Sequence, residues 1–181
     1  MSIPIDDLPD IPADLIDEIK AFLRLDHDED DPAIAEMAGS ASLLCESFTR
    51  QLLVARMAQD MLPVKNVWQK LSRLPVQAID LVESVAADGL TQELSSDDYI
   101  VDIDSDGQGW IRLQTAVSVS RVRVSYAAGL VADWEEVPTM LRQGIVRMTG
   151  YFYANRDSND VHQLPHAVSA LWRPYRRMRM G

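Results

Sequence analysis

The chain has 181 residues, 47% of them hydrophobic, enough for one domain with an apolar core that needs neither metal nor disulfide support. Its net charge is −11, which disfavours wrapping nucleic acid, and its one cysteine, Cys45, excludes an internal disulfide framework. The start, MSIPIDDLPD, lacks the basic and apolar stretches of a signal peptide, and no run approaches the roughly 18 apolar residues of a membrane span.

Residues 1–10 read as an irregular leader. Asp10 and Pro12 mark a helix start, and Leu15, Ile16, Ile19, Phe22 and Leu23 follow as one helical stripe. The run Asp26 to Asp31, DHDEDD, interrupts it. That run reads as a solvated loop favouring the positive end of the next helix. A cation site is the alternative, but no complete coordination pattern supports it. Asp31-Pro32 opens a second helix with Ile34, Met37, Ala38, Ala41, Leu44, Cys45 and Phe48 on one face. Cys45 sits in that stripe as a small hydrophobe, and no neighbouring base makes it a nucleophile.

From Gln51 the pattern changes. QLLVARMAQ fits a continued helix or a strand, and VKNVWQKL after Pro63 reads as a strand. Ile79, Leu81 and Val85 alternate with polar neighbours, and Asp88-Gly89 is a turn signal. Tyr99, Val101 and Ile103 alternate again, GQGWIRL follows a second Asp-Gly turn, and Val122, Val124 and Tyr126 alternate with Arg121, Arg123 and Ser125. Residues 51–130 are therefore expected to form short antiparallel strands joined by tight turns. Trp68, Trp110 and Trp134, in or near this segment, suit either a buried core or a sticky surface.

Val137 to Arg156 is the most periodic helix. Val137, Met140, Leu141, Gly144, Ile145, Met148 and Phe152 share a face, and Pro138 suits the first turn. A mid-helix glycine costs about 1 kcal/mol against alanine. Gly144 on the apolar face therefore predicts a close helix–helix crossing, where a bulky replacement damages folding first. Residues 162–181 read as a short arm, with Pro165 starting a final helix and Pro174 stopping it. The expected fold class is α+β. About three main helices pack as a bundle, with a β-rich antiparallel insertion between the second and third and a short C-terminal helix or arm. The domain assignment is a single one, 1–181: helices over 11–50, the insertion over 51–130, the long helix over 137–156 and the arm over 162–181.

The charge is unevenly spread. Residues 1–62 hold 14 acids and 4 bases, residues 63–137 hold 12 and 6, and residues 138–181 hold 2 and 7. The basic end could meet phosphate or an acidic protein surface. Tyr175, Met178 and Met180 interleave with Arg173, Arg176, Arg177 and Arg179, a mixture common among interface anchors. A frayed basic tail is the plainer reading of the same residues.

Other constellations carry no chemistry. Asp102, Asp104 and Asp106 resemble half a calcium loop, but the twelfth position is Leu113 rather than glutamate. Gly107-Gln108-Gly109 is too short to cradle phosphate. His162 and His166 have metal-pair spacing, but Pro165 lies between them and no further ligand is evident. His27 reads as solvated within the acidic run. No hydrolase, zinc-protease or dithiol motif occurs, so no catalytic residue, metal or cofactor is assigned and the chain does not read as an enzyme.

The ordered set of motifs resembles the head–tail connector, or adaptor, proteins of tailed bacteriophages and gene transfer agents. The carrying stretches are Leu74-Pro75-Val76, QAIDLVESV with Asp88-Gly89, and Asp98 to Asp102. Val122 to Gly129, Val137-Pro138, Tyr151 to Arg156 and Leu171 to Arg177 complete the set. The similarity runs from about Pro12 to the end. The DHDEDD run and the acidic leader have no place in the pattern.

That resemblance implies a structural ring protein, commonly twelve-fold, beneath the portal at the capsid vertex. Genome DNA passes through the channel without specific binding. The implied partners are the portal protein, a downstream neck or stopper protein, and further copies of the chain, with no membrane. The implied location is a virion or phage-like particle, assembled from protein made in the bacterial cytoplasm. The portal-docking segment would be Leu171, Trp172, Arg173, Pro174, Tyr175, Arg176, Arg177, Met178 and Arg179. Removing Leu171 to Gly181 is then expected to leave a folded subunit that no longer binds portal. The alternative is a nucleic-acid-binding, packaging-associated protein that uses the basic arm.

Overall fold

A computed structural model describes residues 11–114, 120–156 and 164–177. The expectations for the leader, Asp10, His162, Met178, Arg179 and Met180 lie outside these residues. The described chain is α+β, with four α-helices and two antiparallel sheets. It divides into two compact units: residues 54–132, and a unit assembled from residues up to 53 together with 133–177.

The helical unit begins with α1, Ala13–Leu23, whose Leu15 and Ile19 are buried. Phe22, on the expected stripe, is instead half exposed. Arg24 ends the helix in the left-handed region, and its N–H bonds back to the last turn. Helix α2, Asp31–Thr49, has Pro32 in its first turn and buries Ile34, Ala38, Ala41 and Cys45. The acidic run between them is tied down. Lys20 pairs with Asp28 and, at 2.9 Å, with Asp31, and the Tyr153 hydroxyl donates to Asp30 at 2.5 Å. Those hydrogen bonds hold the Lys20 ammonium above, and the Asp28 carboxyl below, their ordinary ranges. Five carboxylates in six residues are thus anchored in part by one lysine and one tyrosine, while Asp26 and Glu29 stay exposed.

Helix α3, Thr139–Ala154, buries Leu141, Gly144, Ile145 and Met148, as its periodicity predicts. Met140 is the exception at 40% exposed. The short α4, His166–Trp172, starts after Pro165 and buries Val168 and Trp172, four residues apart on one face.

The β unit contains β1 (Arg56–Pro63), β2 (Gln69–Lys70), β3 (Val76–Val85), β4 (Thr91–Glu93), β5 (Tyr99–Ile103), β6 (Gly109–Leu113) and β7 (Arg121–Ala128). One sheet has the order β1-β7-β3-β4, the other β2-β6-β5, and all named pairings are antiparallel. Val122, Val124 and Tyr126 point inward as their alternation requires, and Ile111 and Leu113 join them.

Two local expectations change. VKNVWQKL is not a strand throughout; only Gln69–Lys70 pairs, and the real strand is Arg56–Pro63. In β3 the buried residues are Val76, Val82 and Ser84, while Ile79, Leu81 and Val85 are half-buried; register shifts at Val76/Ala78 and Ile79/Leu81 break the simple alternation and set Ile79 opposite the inward Tyr126.

An inward-facing Asp60 explains why β1 was hard to read. Its carboxylate accepts from the Ser72 backbone N–H (2.6 Å), the Ser72 hydroxyl (2.5 Å) and the Tyr126 hydroxyl (3.1 Å). The Tyr126 oxygen in turn accepts from the Arg73 N–H at 3.0 Å. These three hydrogen bonds offset much of the cost of burying the carboxylate. The network ties β1 and β7 to the chain just before the cis Leu74-Pro75 peptide.

Candidate docking segment

The segment expected to dock begins inside the helical core. Trp172 is fully buried. Its indole N–H donates to the Leu141 carbonyl at 3.3 Å, and its ring lies 5.9 Å from Phe48 at a tilt of 53°. The pocket exists because residue 144 has no side chain. A Cβ at Gly144 would overlap Trp172 Nε1 and lie 2.7 Å from Cδ1 and 2.8 Å from Cε2. The close crossing expected at Gly144 is therefore this one, α3 against α4. Trp172 roots the arm rather than reaching outward. Cutting at Leu171 would remove this ring from the helical core at a cost of about 3–5 kcal/mol, so the truncation is expected to destabilise the subunit as well as shorten its arm.

Beyond Trp172 a single 3-10 turn, Arg173–Tyr175, brings the chain across the end of α2. Gln51, nearly buried, holds it. Its Nε2 donates to the Tyr175 carbonyl at 2.6 Å, and its Oε1 accepts from the Arg177 Nε–H at 3.1 Å. The Arg177 backbone N–H donates to the Thr49 carbonyl at 3.1 Å, satisfying one of the free carbonyls of the last turn. Arg176 lies over the Phe48 ring at 5.4 Å. Two arginines thus sit near the negative end of the α2 dipole, where cations are favoured.

Of the expected docking residues, Leu171, Tyr175 and Arg177 are half-buried, Arg173, Pro174 and Arg176 are exposed, and Met178 and Arg179 lie outside the described residues. The expected arm thus starts from a fixed base. Gln51, Thr49 and Phe48, which hold that base, carried no sequence signal that pointed to it. Phe48 alone could be anticipated, as the last apolar residue of the α2 stripe.

The remaining candidates are structural. Burial pushes the Cys45 thiol far above its ordinary value. Asp104 accepts the backbone N–H groups of Asp106 and Gln108 at 2.9 Å and the Trp110 indole N–H at 3.2 Å, so its carboxylate organises the turn. Gly107 adopts φ +70 there, and a Cβ on it would meet Pro75 at 2.7 Å. Among the described residues no group of three His, Cys, Asp or Glu side chains is placed to hold a metal, and no helix is long and apolar enough to cross a membrane.

No protein-family model and no curated protein sequence matches the chain. Solved structures do. A chain from the neck of an empty gene transfer agent particle, computed with C6 symmetry, is similar with a TM-score of 0.78 at 21% identity, over 99% of this chain and 96% of that one. A chain from the neck of a native particle, computed with C12 symmetry, gives 0.74 at 21% identity, covering 99% and 97%. A chain from the virion of a native gene transfer agent gives 0.72 at 21% identity, covering 99% and 94%. Over essentially its whole length, the protein has the fold of chains found in gene transfer agent necks.

Proposed function

We propose that the chain is a structural head–tail connector subunit, forming a ring beneath the portal of a tailed phage or gene transfer agent particle. The observation that carries the reading is the end-to-end likeness to chains of particle necks, 99% of this chain against 96% of the other. It agrees with the resemblance of the ordered sequence motifs. The C6 and C12 symmetries of those necks support a homo-oligomeric ring, whose identical subunits meet through two different faces. The acidic composition suits a channel that lets duplex DNA pass without holding it.

The C-terminal arm is the portal-docking element in this reading. Trp172 and the Gln51 contacts fix its base. The exposed Arg173, Pro174 and Arg176, continued by Met178 and Arg179, meet the portal, and a downstream neck or stopper protein occupies another surface.

Imaging the neck of the particle that carries this protein tests the placement. Density for this chain as a ring against the portal is expected; its absence from the neck would overturn the proposal. Deleting residues 178–181, which spares Trp172 and the Gln51 contacts, tests the arm. The deleted form should keep the helical circular dichroism of the full chain and fail to co-sediment with the portal protein. Undiminished co-sedimentation would remove residues 178–181 from the portal contact.

A further inference from the structure

One face of the β2-β6-β5 sheet brings tryptophans and cations together. Register places Lys70 opposite Trp110, and Trp110 opposite Asp102. Arg112 lies next to Trp110 but one on β6, opposite Ile100. Lys70 sits 5.0 Å over the Trp110 ring, and Arg112 sits 5.1 Å over the Trp68 ring. The two cation–aromatic pairs run in opposite senses across the strands. Trp68 is 42% exposed and its neighbour Val67 is 56% exposed. A partly exposed tryptophan with an arginine over its ring has the composition common among interface hot spots.

The charge around it is unusual for this chain. Residues 61–79 contain Lys65, Lys70 and Arg73 and no Asp or Glu, although the whole protein carries −11. Lys65, Lys70 and Arg73 are exposed, and among the described residues no carboxylate pairs with them or with Arg112. The helical unit has the complementary surplus. Asp14, Asp17, Asp26 and Glu29 are exposed, and among the described residues no cation pairs with them. The chain therefore carries a basic, aromatic surface around Trp68, with exposed Asp102 on its far side beyond Trp110, and an acidic surface on the helical unit.

We infer that the Val67-Trp68-Lys70 surface docks onto the acidic helical unit of a second copy of this chain, around Asp26 to Glu29, and so forms one of the two faces of the ring contact. The inference rests on the proposed ring. A head-to-tail ring needs two different complementary faces on each subunit, and a closed ring uses every one. The tryptophan supplies buried apolar area, and the lysines supply register and steering. A contact of this kind also assigns the acidic run of the α1–α2 connection a role.

The test uses assembled particles. Val67→p-benzoylphenylalanine places a photo-crosslinker beside Trp68 without removing it. Irradiation should give a ladder at multiples of the chain mass, with crosslinked peptides mapping to residues 24–33. Crosslinks to a different protein or to DNA, homotypic crosslinks outside the helical unit, or no crosslink in particles that contain the chain would each overturn the inference. Absence of the chain from the neck would instead overturn the proposed function, so the two failures are distinguishable. A charge swap provides a second readout. Lys65→Glu with Lys70→Glu should cut incorporation into particles about tenfold or more, and adding Asp26→Lys with Glu29→Lys should restore most of it. Unchanged incorporation in the first variant, or no recovery in the second, would count against the pairing.

Discussion

Replacing Gly144 with alanine sets two effects of opposite sign against each other. In a helix interior the change should stabilise by about 1 kcal/mol, because alanine is the better helix former. Here the new methyl would occupy the place of the Trp172 indole, overlapping Nε1 and lying 2.7 Å from Cδ1. The helix backbone cannot yield without breaking its own hydrogen bonds, so the ring must move. Overpacking of this kind costs about 1–3 kcal/mol. Shifting the ring also strands the indole N–H that now reaches the Leu141 carbonyl, adding about 1–3 kcal/mol for an unmet buried donor. The net expectation is a loss of about 3 kcal/mol. Urea unfolding followed at 222 nm would show it. With a slope of about 2 kcal/mol per molar, the midpoint should fall by about 1.5 M. In a Trp172→Phe background, where the smaller ring leaves room, the same glycine change should cost at least about 1 kcal/mol less. An unchanged or raised midpoint for Gly144→Ala in the otherwise native chain would refute the packing argument.

Four further outcomes follow from three groups held in unusual surroundings. Burial pushes the Tyr126 hydroxyl up to about 12 from an ordinary 10.0, so the folded form keeps its proton longer than the unfolded chain; stability should fall as pH rises from about 10 to about 12, and Tyr126→Phe should lose that part of the alkaline dependence. The same variant removes the hydroxyl that Asp60 and Arg73 share, and should destabilise the β unit by about 1–3 kcal/mol in thermal or urea melts. Lys20→Met should abolish an acid-limb contribution. Asp28 titrates below its ordinary 3.8 when paired, so the contribution is present above that value and lost as pH falls through the lowered one, and an acid titration by circular dichroism reads the difference. Cys45 is buried with its thiol pushed upward, so a chromogenic disulfide reagent should leave it untouched in the native protein and label it at once in denaturant.

The helices were legible because each buries one face, and a 3.6-residue period survives in the sequence whatever the partner. The β7 strand was legible for the corresponding reason, with Val122, Val124 and Tyr126 facing a core. β1 was not, since its inward position is taken by Asp60, and a charged residue reads as outward until Ser72 and Tyr126 are known to surround it. β3 was legible only in part: Ile79 does lie opposite Tyr126, but the register shifts on either side of it break the alternation, and local pattern cannot reveal them. At the arm, sequence placed Trp172 among the outward anchors because an aromatic residue amid arginines resembles an interface. Gly144 held the missing clue, a vacancy on the face of α3, but nothing local says that a side chain 28 positions later fills it. Gln51 is a contact made through the fold alone; its amide could as well have faced solvent.

The helical unit is discontinuous: α1 and α2 lie before the strands, and α3 and α4 after them. That ordering has a consequence during synthesis. The strands pair only among themselves and can settle while the chain is still growing. The first two helices emerge early, but their apolar stripes wait for α3 and α4, which start only at Thr139 and His166, beyond the whole β unit. A ribosome that stops early would release a finished sheet attached to an open helix pair. Such a product would expose Ile34, Ala38 and Cys45 to quality-control proteases. Only a chain translated through Trp172 completes this helical core, so products that stop earlier are expected to be less stable and cleared faster than the full chain.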